Sequence, residues 1–465
     1  MTKVAVIGGG VAGLTAAWEL VRAGVAVELY EAQSTLGGAV SPLRLGGIEL
    51  DAGAEAFATR SSAVRDLITE LGLAEQIVSP NPAGAWLQLP GLAAPLPSTG
   101  VLGIPGEPQA QDVVRILGTE GAARAAADLR APMTWTAERI RAQEPSLGQV
   151  VRDRMGEAVV DKLVSPITSG VHSAAPDDLA LRAAHPKLGE ALVEQGSLAR
   201  AVAALRSGAP AGSAVQSLRG GMHTLVARLH TQLKQAGATI RLQTEIRDLQ
   251  KLQTEHIVLA VDEHRAAALA GPHLPAVLPA ARGASSGVAL VTLLVRAHEL
   301  DAFPRGTGML VAPTVEHIGA KAMTHISAKW EWAGHRVRQQ LGPGHHLLRL
   351  SYGRITDAPG PGTLGFHSGD QDLLDAAERD LPSLTGAAVA PRQLLDAAVV
   401  RWQQALPGTS AAQRGRAEEF RSALAAARAS GSVKLWAVGA WASGTGLSQV
   451  IPDARQAARE ILAQA

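Results

Sequence analysis

The chain has 465 residues, 46% of them hydrophobic and only 3% aromatic, with a formal net charge of +1. Two or three domains of roughly 100–200 residues are implied, and the balanced charge, with no dense basic run, argues against nucleic acid as a partner. Cysteine is absent, which excludes disulfides, thiolate metal sites, a thiol nucleophile and a cysteinyl bond to a cofactor.

No apolar run approaches the ~18 residues of a membrane-spanning helix. The start, MTKVAVIGGG, lacks the pattern of a secretory leader. The expected location is cytoplasmic, with peripheral contact at the inner face of a membrane left open.

Residues 3–7, Lys-Val-Ala-Val-Ile, read as a buried parallel strand. Gly8, Gly9 and Gly10 interrupt it. Residues 11–23 follow as a helix, with Leu14, Ala17, Trp18 and Val21 at helical spacing, and Gly24 ends it. Residues 25–30 form a second strand with Glu31 at its carboxyl end. This is a βαβ unit, and its crossover is expected to be right-handed. Residues 62–72 read as a helix, and the Pro- and Gly-rich stretch 80–108 as a crossing between domains.

Residues 110–205 are rich in Ala, Leu and Arg at helical periodicity, the pattern of an inserted helical domain. Residues 217–248 return to α/β character: Arg219-Gly-Gly-Met222, an amphipathic helix and a strand at 239–243. Residues 256–261 form another buried strand. The runs 287–295 and 346–352 predict an antiparallel sheet in a separate domain, and residues 371–381 and 411–429 read as helices. Residues 434–447 read as a strand and a glycine-rich turn, and residues 451–464 as a closing helix.

Gly8-x-Gly10-x-x-Gly13 sits where the first strand turns into the first helix. The first glycine permits the tight turn. The second lets backbone approach a pyrophosphate, and the third lets helix and strand pack closely. The helix N-terminus offers unpaired N–H groups to phosphates. Glu31, twenty-one residues beyond Gly10, stands where a carboxylate accepts hydrogen bonds from a ribose. An acid there suits NAD or FAD. The distant segments favour FAD, held non-covalently: Gly37-Gly38 follows the second strand, and Gly444-Thr445-Gly446 precedes the last helix. A long flavin needs contacts at both ends, and a helix N-terminus stabilises negative charge on its ring.

The fold expected is therefore α/β. A Rossmann-like FAD-binding domain is assembled from residues 1–85, 206–272 and 430–465. An inserted helical domain spans 86–205, and a mixed-sheet substrate domain spans 273–429.

The segments VAVIGGGVAGL, LYEA, LGG, ELDAGAEAF, LRGGM, ISAKW, SYGR and VGAWASGTGL together resemble the FAD-dependent protoporphyrinogen/coproporphyrinogen oxidases of haem synthesis. The resemblance covers nearly the whole chain. Its N-terminal part is common to amine-oxidase-like flavoproteins. More specific are residues 51–57, Gly103-Ile104-Pro105, Lys329-Trp330, Arg401-Trp402, Leu406-Pro407 and residues 439–447. Gly103-Ile104-Pro105, Gly-Ala-Glu-Ala-Phe and Gly-Ala-Trp are similar to the soluble bacterial branch, which implies coproporphyrinogen III as substrate. Three positions depart from the family pattern, in ways that bear on propionate contacts. Ala39 replaces a basic residue, Ser98-Thr99 replaces a Lys or Arg, and Gly408-Thr-Ser follows Pro407.

The motifs and the resemblance mark as cofactor-binding Gly8, Gly10, Val11, Ala12, Gly13, Glu31, Ala32, Gly37, Gly38, Gly53, Ala54, Glu55 and Ile246 in the first half of the chain. Gly439, Trp441, Gly444, Thr445, Gly446, Leu447, Val450 and Ile451 are their counterparts near its end. The chemistry implied is oxidation of a porphyrinogen by removal of six electrons. Hydride passes to flavin, and molecular oxygen reoxidises the flavin to give peroxide. The cofactor carries the hard step, which matches a sequence without a triad, metal cluster or paired-acid motif. No side chain is singled out as catalytic.

Arginine forks bind carboxylates, so Arg44, Arg349, Arg354 and Arg401 are candidates for the propionates, each equally readable as a solvated or paired surface arginine. His172 is a candidate pocket residue near the insert. Lys329-Trp330 reads as a strand-edge pair with Trp packed inside, and Glu55 as a support for the flavin-side loop rather than one of a proton-transferring pair with Asp51. Protoporphyrinogen IX remains an alternative substrate. The runner-up activities are amine oxidase or carotenoid desaturase, and a non-catalytic haem-pathway chaperone or binding protein that keeps FAD structurally stands beside them; haem-pathway enzymes are candidate partners. Two tyrosines and four phenylalanines make an aromatic amine cage hard to build.

Overall fold

The protein is described by a computed structural model covering residues 2–171, 174–206, 215–254, 256–274, 287–354, 363–403, 411–431 and 434–464. Five parallel strands lie in the order Thr239–Arg241, Ala26–Tyr30, Lys3–Ile7, His256–Leu259, Lys434–Ala437. Successive side chains of a strand face opposite sides, and the central strand uses both. Val4 and Val6 enter a core with the helices Val11–Arg22, His223–Gln235 and Leu447–Leu462. Ala5 and Ile7 enter a second core with the helices Glu263–Ala270 and Ala411–Ala429. Burial on both faces explains why Lys-Val-Ala-Val-Ile is apolar without alternation. The helix Ala411–Ala429, grouped by sequence with residues 273–429, packs on this parallel sheet.

A seven-stranded sheet runs Leu394–Trp402, Val288–Arg296, His345–Tyr352, Ala322–His325, Gly308–Val311, Trp86–Leu89, Leu92–Pro95. All neighbours are antiparallel except Gly308–Val311 with Trp86–Leu89, so the sheet is mixed rather than purely antiparallel. Its last two strands are residues that the sequence reading placed in the helical insert. The Pro90-Gly91 turn between two short apolar runs is a hairpin signal, and Gly91 adopts a φ of 69°. The helix Asp370–Thr385 covers one face, through Leu373, Ala377 and Leu381.

The insert is a helical bundle from Gln111–Ala126 to Leu198–Arg206. At its centre Arg154 pairs with Asp128 at 2.5 Å, with side chains 2% and 0% exposed. Arg154 donates further to the carbonyls of Asp128, Ala131, Pro132 and Gly196, and Asp128 accepts from Ser197 Oγ and Ala199 N. A π-turn, Val160–Val164, leads into the helix Ser165–Val171. Gly103 supports it: at φ 82°, a Cβ there would lie 2.3 Å from the Leu163 carbonyl oxygen. Among the described residues no helix is long and apolar enough to cross a membrane, and no cluster of three or more His, Asp or Glu could hold a metal.

Candidate active site

The glycines of the first turn divide by what a side chain would meet. A Cβ on Gly8 (φ 109°) would lie 2.2 Å from the Ala260 carbonyl oxygen, and one on Gly13 would lie 2.0 Å from that of Gly8. Gly10 is different, because its Cβ direction is open, with nothing within 4 Å. Its φ of −71° and ψ of 175° suit any residue. Open space at Gly10 beside crowding at Gly8 and Gly13 is the arrangement that a pyrophosphate cradle requires.

Glu31 is held rigidly. Its Oε2 accepts from Gly9 N and its Oε1 from Gln33 N, both at 2.7 Å, and Ala32 is exposed beside it. Gly37 N donates to Gly9 O at 2.8 Å, and a Cβ on Gly38 would sit 3.6 Å from Gly10 Cα. The second glycine pair therefore lies against the first. Ala54 N then donates to Ala39 O at 2.8 Å, and Gly53 fits between Ala39 O and the Trp402 ring.

The helix Val11–Arg22, whose first turn carries Val11, Ala12 and Gly13, and the helix Leu447–Leu462 share one design. Each is preceded by a glycine, Gly10 or Gly446, with no side-chain cap and no acid in the first turn. Their leading N–H groups are thereby left for a ligand, with the positive end of each helix dipole. Ser448, 5% exposed in the first turn of the second helix, has a hydroxyl with no partner among the described residues. These features fit a dinucleotide with a flavin at its far end.

Gly439, Gly444 and Gly446 all take positive φ, and a one-turn helix, Ala440–Ser443, stands within the turn expected from sequence. Val450 and Ile451 are buried, while Thr445 and Leu447 are half-buried. Trp441 is 5% exposed, with its indole N–H on Val261 O at 2.8 Å and its ring edge-on to Phe420. Its ring belongs to the core behind the sheet, and Ile246 packs against that same core.

The seven-stranded sheet turns a second feature toward these loops. Strand register places Val400, Leu290, Ser351, Ala322 and Leu310 in one row across it. All five are half-buried, whereas Val291, Leu350, Met323 and Met309, which face the other way, are at most 3% exposed. The neighbouring row is Ala398, Thr292, Arg349 and Thr324. One sheet face is therefore packed and the other partly open, lined by aliphatic side chains and small hydroxyls. A Cβ on Gly170 of the insert would lie 2.7 Å from Leu310 Cδ2, so the insert borders this face on one side. Trp402 borders the other, its indole N–H on Ala52 O at 3.3 Å.

Of the four candidate arginines, Arg349 stands in this face by register, but its donors are taken up by the protein. Arg349, 6% exposed, donates to the carbonyls of Asp51 and Gly53 and to Thr292 Oγ1, and lies 3.5 Å from Glu55 Oε2. Arg401 is tied to the Phe366 and Ser368 carbonyls and to Asp370. Arg354 donates to Ala320 O at 3.4 Å, and Arg44 is exposed on the hairpin Pro42–Leu45/Ile48–Asp51. His172, Leu406, Pro407 and residues 408–410 lie outside the described residues.

Lys329 is not at a strand edge. It ends the short helix Ile326–Lys329, and its Nζ lies 2.7 Å from Glu55 Oε1. Trp330 is packed inside at 2% exposure, as expected. Burial opposes ionisation of Glu55, but Lys329 and Arg349 outweigh it and hold the carboxyl below its ordinary value. Asp51 has a separate task. It accepts from Met222 N, His223 N and His223 Nδ1, which caps the helix His223–Gln235. The Glu55–Lys329–Arg349 cluster was not visible as a unit in the sequence, although ISAKW and GAEAF each stood out.

Comparison with known proteins agrees with this geometry. The flavin containing amine oxidoreductase family matches residues 11–269. The chain belongs to that family. The coproporphyrinogen III oxidase of Mycobacterium tuberculosis (H37Rv) is 32% identical to this flavoprotein over 438 residues, covering 90% of each chain. The enzyme of that name from Bacillus subtilis (strain 168) is 25% identical over 486 residues, covering 99% of this chain and 97% of its own. A crystal structure from Exiguobacterium sp. 255-15, provisionally described as a protoporphyrinogen oxidase, superposes with a TM-score of 0.82 at 25% identity, covering 100% of this chain and 99% of its own. The resemblance drawn from the motifs holds: the flavoprotein is an FAD-dependent oxidoreductase of the porphyrinogen oxidase type.

Proposed function

We propose that this flavoprotein oxidises coproporphyrinogen III to coproporphyrin III, with molecular oxygen as the final acceptor and peroxide as the by-product. The observation that carries the reading is the full-length similarity to coproporphyrinogen III oxidases, 32% identity over 90% of both chains. The half-open sheet face supports it. A macrocycle needs a broad apolar floor, and Leu290, Val400, Ala322 and Leu310 supply one with few aromatics, beside the hydroxyls of Ser351 and Thr324.

The flavin, when bound, supplies the acceptor for hydride leaving a bridging carbon. The chain's own residues bind and orient. Gly10 and the first helix N-terminus receive the pyrophosphate, Glu31 the ribose, and Gly444, Gly446 and Ser448 the far end of the cofactor, without a covalent link. Thr324 and Ser351 orient the macrocycle on the sheet. Arg354 and His172 are the candidates for its propionates. Arg349 serves the loop instead, because its donors go to protein carbonyls. The enzyme works in the cytoplasm, and the insert offers any peripheral membrane contact.

Anaerobic mixing with coproporphyrinogen III should bleach the flavin and, on admission of air, give porphyrin fluorescence. Protoporphyrinogen IX should do so with lower kcat/KM. A preference for protoporphyrinogen with and without detergent reverses the substrate assignment, and no bleaching by either removes it.

A further inference from the structure

We infer that the Glu55 carboxylate takes up the protons that the substrate sheds as it is oxidised, an assignment resting on the porphyrinogen reading. For each hydride that leaves a bridging carbon, one proton must leave the macrocycle, from a pyrrole nitrogen or a bridging carbon. Its electron pair stays behind as a new ring π bond, and the proton forms an O–H bond on Glu55. The macrocycle is oxidised and the flavin reduced.

Five observations point to Glu55. The two rows of the open sheet face carry aliphatic side chains, hydroxyls and Arg349 but no base, and Asp396, further along that face opposite Leu294, accepts from Gly46 N of the hairpin. Asp51 is 4% exposed and committed to the helix His223–Gln235. The buried histidines of the sheet, His325 and His346, lie in register with or alternate to Leu348 and Leu350 on its packed side. Glu55, by contrast, keeps 17% of its side chain exposed. It lies on the loop that joins the cofactor cradle, through Ala54 N to Ala39 O, to the sheet, through Arg349.

The charged groups that face Glu55 come from each element packed on it. Lys329 approaches from the helix Ile326–Lys329 and Arg349 from the strand His345–Tyr352. Asp51, at the end of the strand Ile48–Asp51 that leads into the Glu55 loop, is turned toward His223. From the strand Val215–Leu218 the contact is Ser217 Oγ, which donates to the Glu55 carbonyl rather than its carboxylate. The two cations keep the carboxyl ionised, ready to accept, and make it release the proton before the next hydride leaves. A strong base is unnecessary, because loss of hydride makes the remaining ring hydrogens acidic. Lys329, with 22% of its side chain exposed, leads outward from the carboxyl.

The test is the rate of anaerobic flavin bleaching by coproporphyrinogen III as a function of pH, in the holoenzyme and two variants. Flavin content and melting temperature are recorded alongside. Glu55→Gln keeps the shape and part of the Lys329 contact. It should retain flavin, bleach about 10²-fold more slowly and lose the acid limb of the profile. Lys329→Met removes the main counter-charge, so the acid limb should move to higher pH, a shift that a purely structural loss would not produce. Wild-type rates and an unchanged profile in Glu55→Gln overturn the assignment. If that variant fails to fold, an acid limb unmoved in Lys329→Met does the same. Absence of bleaching in the wild type overturns the porphyrinogen reading, and this assignment with it.

Discussion

The cofactor cradle and the sheet that faces it are built from different materials. The cradle is backbone: glycines at fixed offsets, two helix N-termini without side-chain caps, and a single acid, Glu31, bonded to Gly9 and Gln33. The sheet side is an arrangement of side chains from distant segments, with Arg349, Glu55 and Lys329 as its brace. Backbone geometry follows from local sequence and is read there directly. Side-chain convergence depends on strand register and crossover, which no local pattern specifies.

The sharpest way to break this contrast is within the cradle itself. Gly13→Val drives its Cβ into Gly8 O, against backbone that has nowhere to move, and should leave no folded protein. Gly10→Val meets open space in an ordinary extended conformation, so the chain should fold with a near-native melting temperature and contain no flavin. Circular dichroism and flavin absorbance of the two purified variants separate the outcomes. A Gly10→Val protein with full flavin occupancy would place the pyrophosphate elsewhere.

On the sheet side the expected effects are smaller and graded by burial. Arg349→Met leaves the Asp51 and Gly53 carbonyls without this donor and Glu55 with Lys329 alone, and should cost about 3–5 kcal/mol in denaturant unfolding. Arg401→Met breaks an ion pair whose side chains are 28% and 66% exposed, and should cost about 1 kcal/mol or less. Equal losses would mean that burial does not decide the difference.

An effect that appears only on acidification concerns a pair on the packed side of the sheet. His325 Nε2 and His346 Nδ1 lie 3.1 Å apart, and His346 Nε2 reaches Asp301. Burial, with the neighbouring His346, pushes His325 down to about 3. Burial also lowers His346 against the pull of Asp301. Both are neutral in the fold, whereas in the unfolded chain they titrate near 6.5. The stability they contribute is therefore present above pH ~6.5 and is lost as pH falls, by roughly 2 kcal/mol for one such histidine between pH 7 and 5. Melting curves of wild type and a His325→Gln/His346→Gln variant should converge on acidification. Parallel curves would show that the pair titrates alike in both states.

Gly103 shows how a motif changes meaning in three dimensions. In Gly103-Ile104-Pro105 the sequence suggested a signature of substrate class. In the fold, positive φ and the Leu163 carbonyl require that glycine, and Ile104 is fully buried. The motif is the seat of the π-turn inside the insert.

What the sequence by itself determined is what depends on neighbours along the chain. The βαβ unit, its three glycines, Glu31 and the glycine turn before the last helix were all legible, because each is a turn, a cap or a buried strand with a local physical signature. The tertiary structure alone decided the rest. It committed Arg349 and Arg401 to carbonyls, moved residues 86–95 into the mixed sheet and left one face of that sheet half open. It also brought Lys329 to Glu55 from 274 residues away. Such contacts form only when separate layers pack, and the energy of a charge pair depends on that burial rather than on the residues' identity.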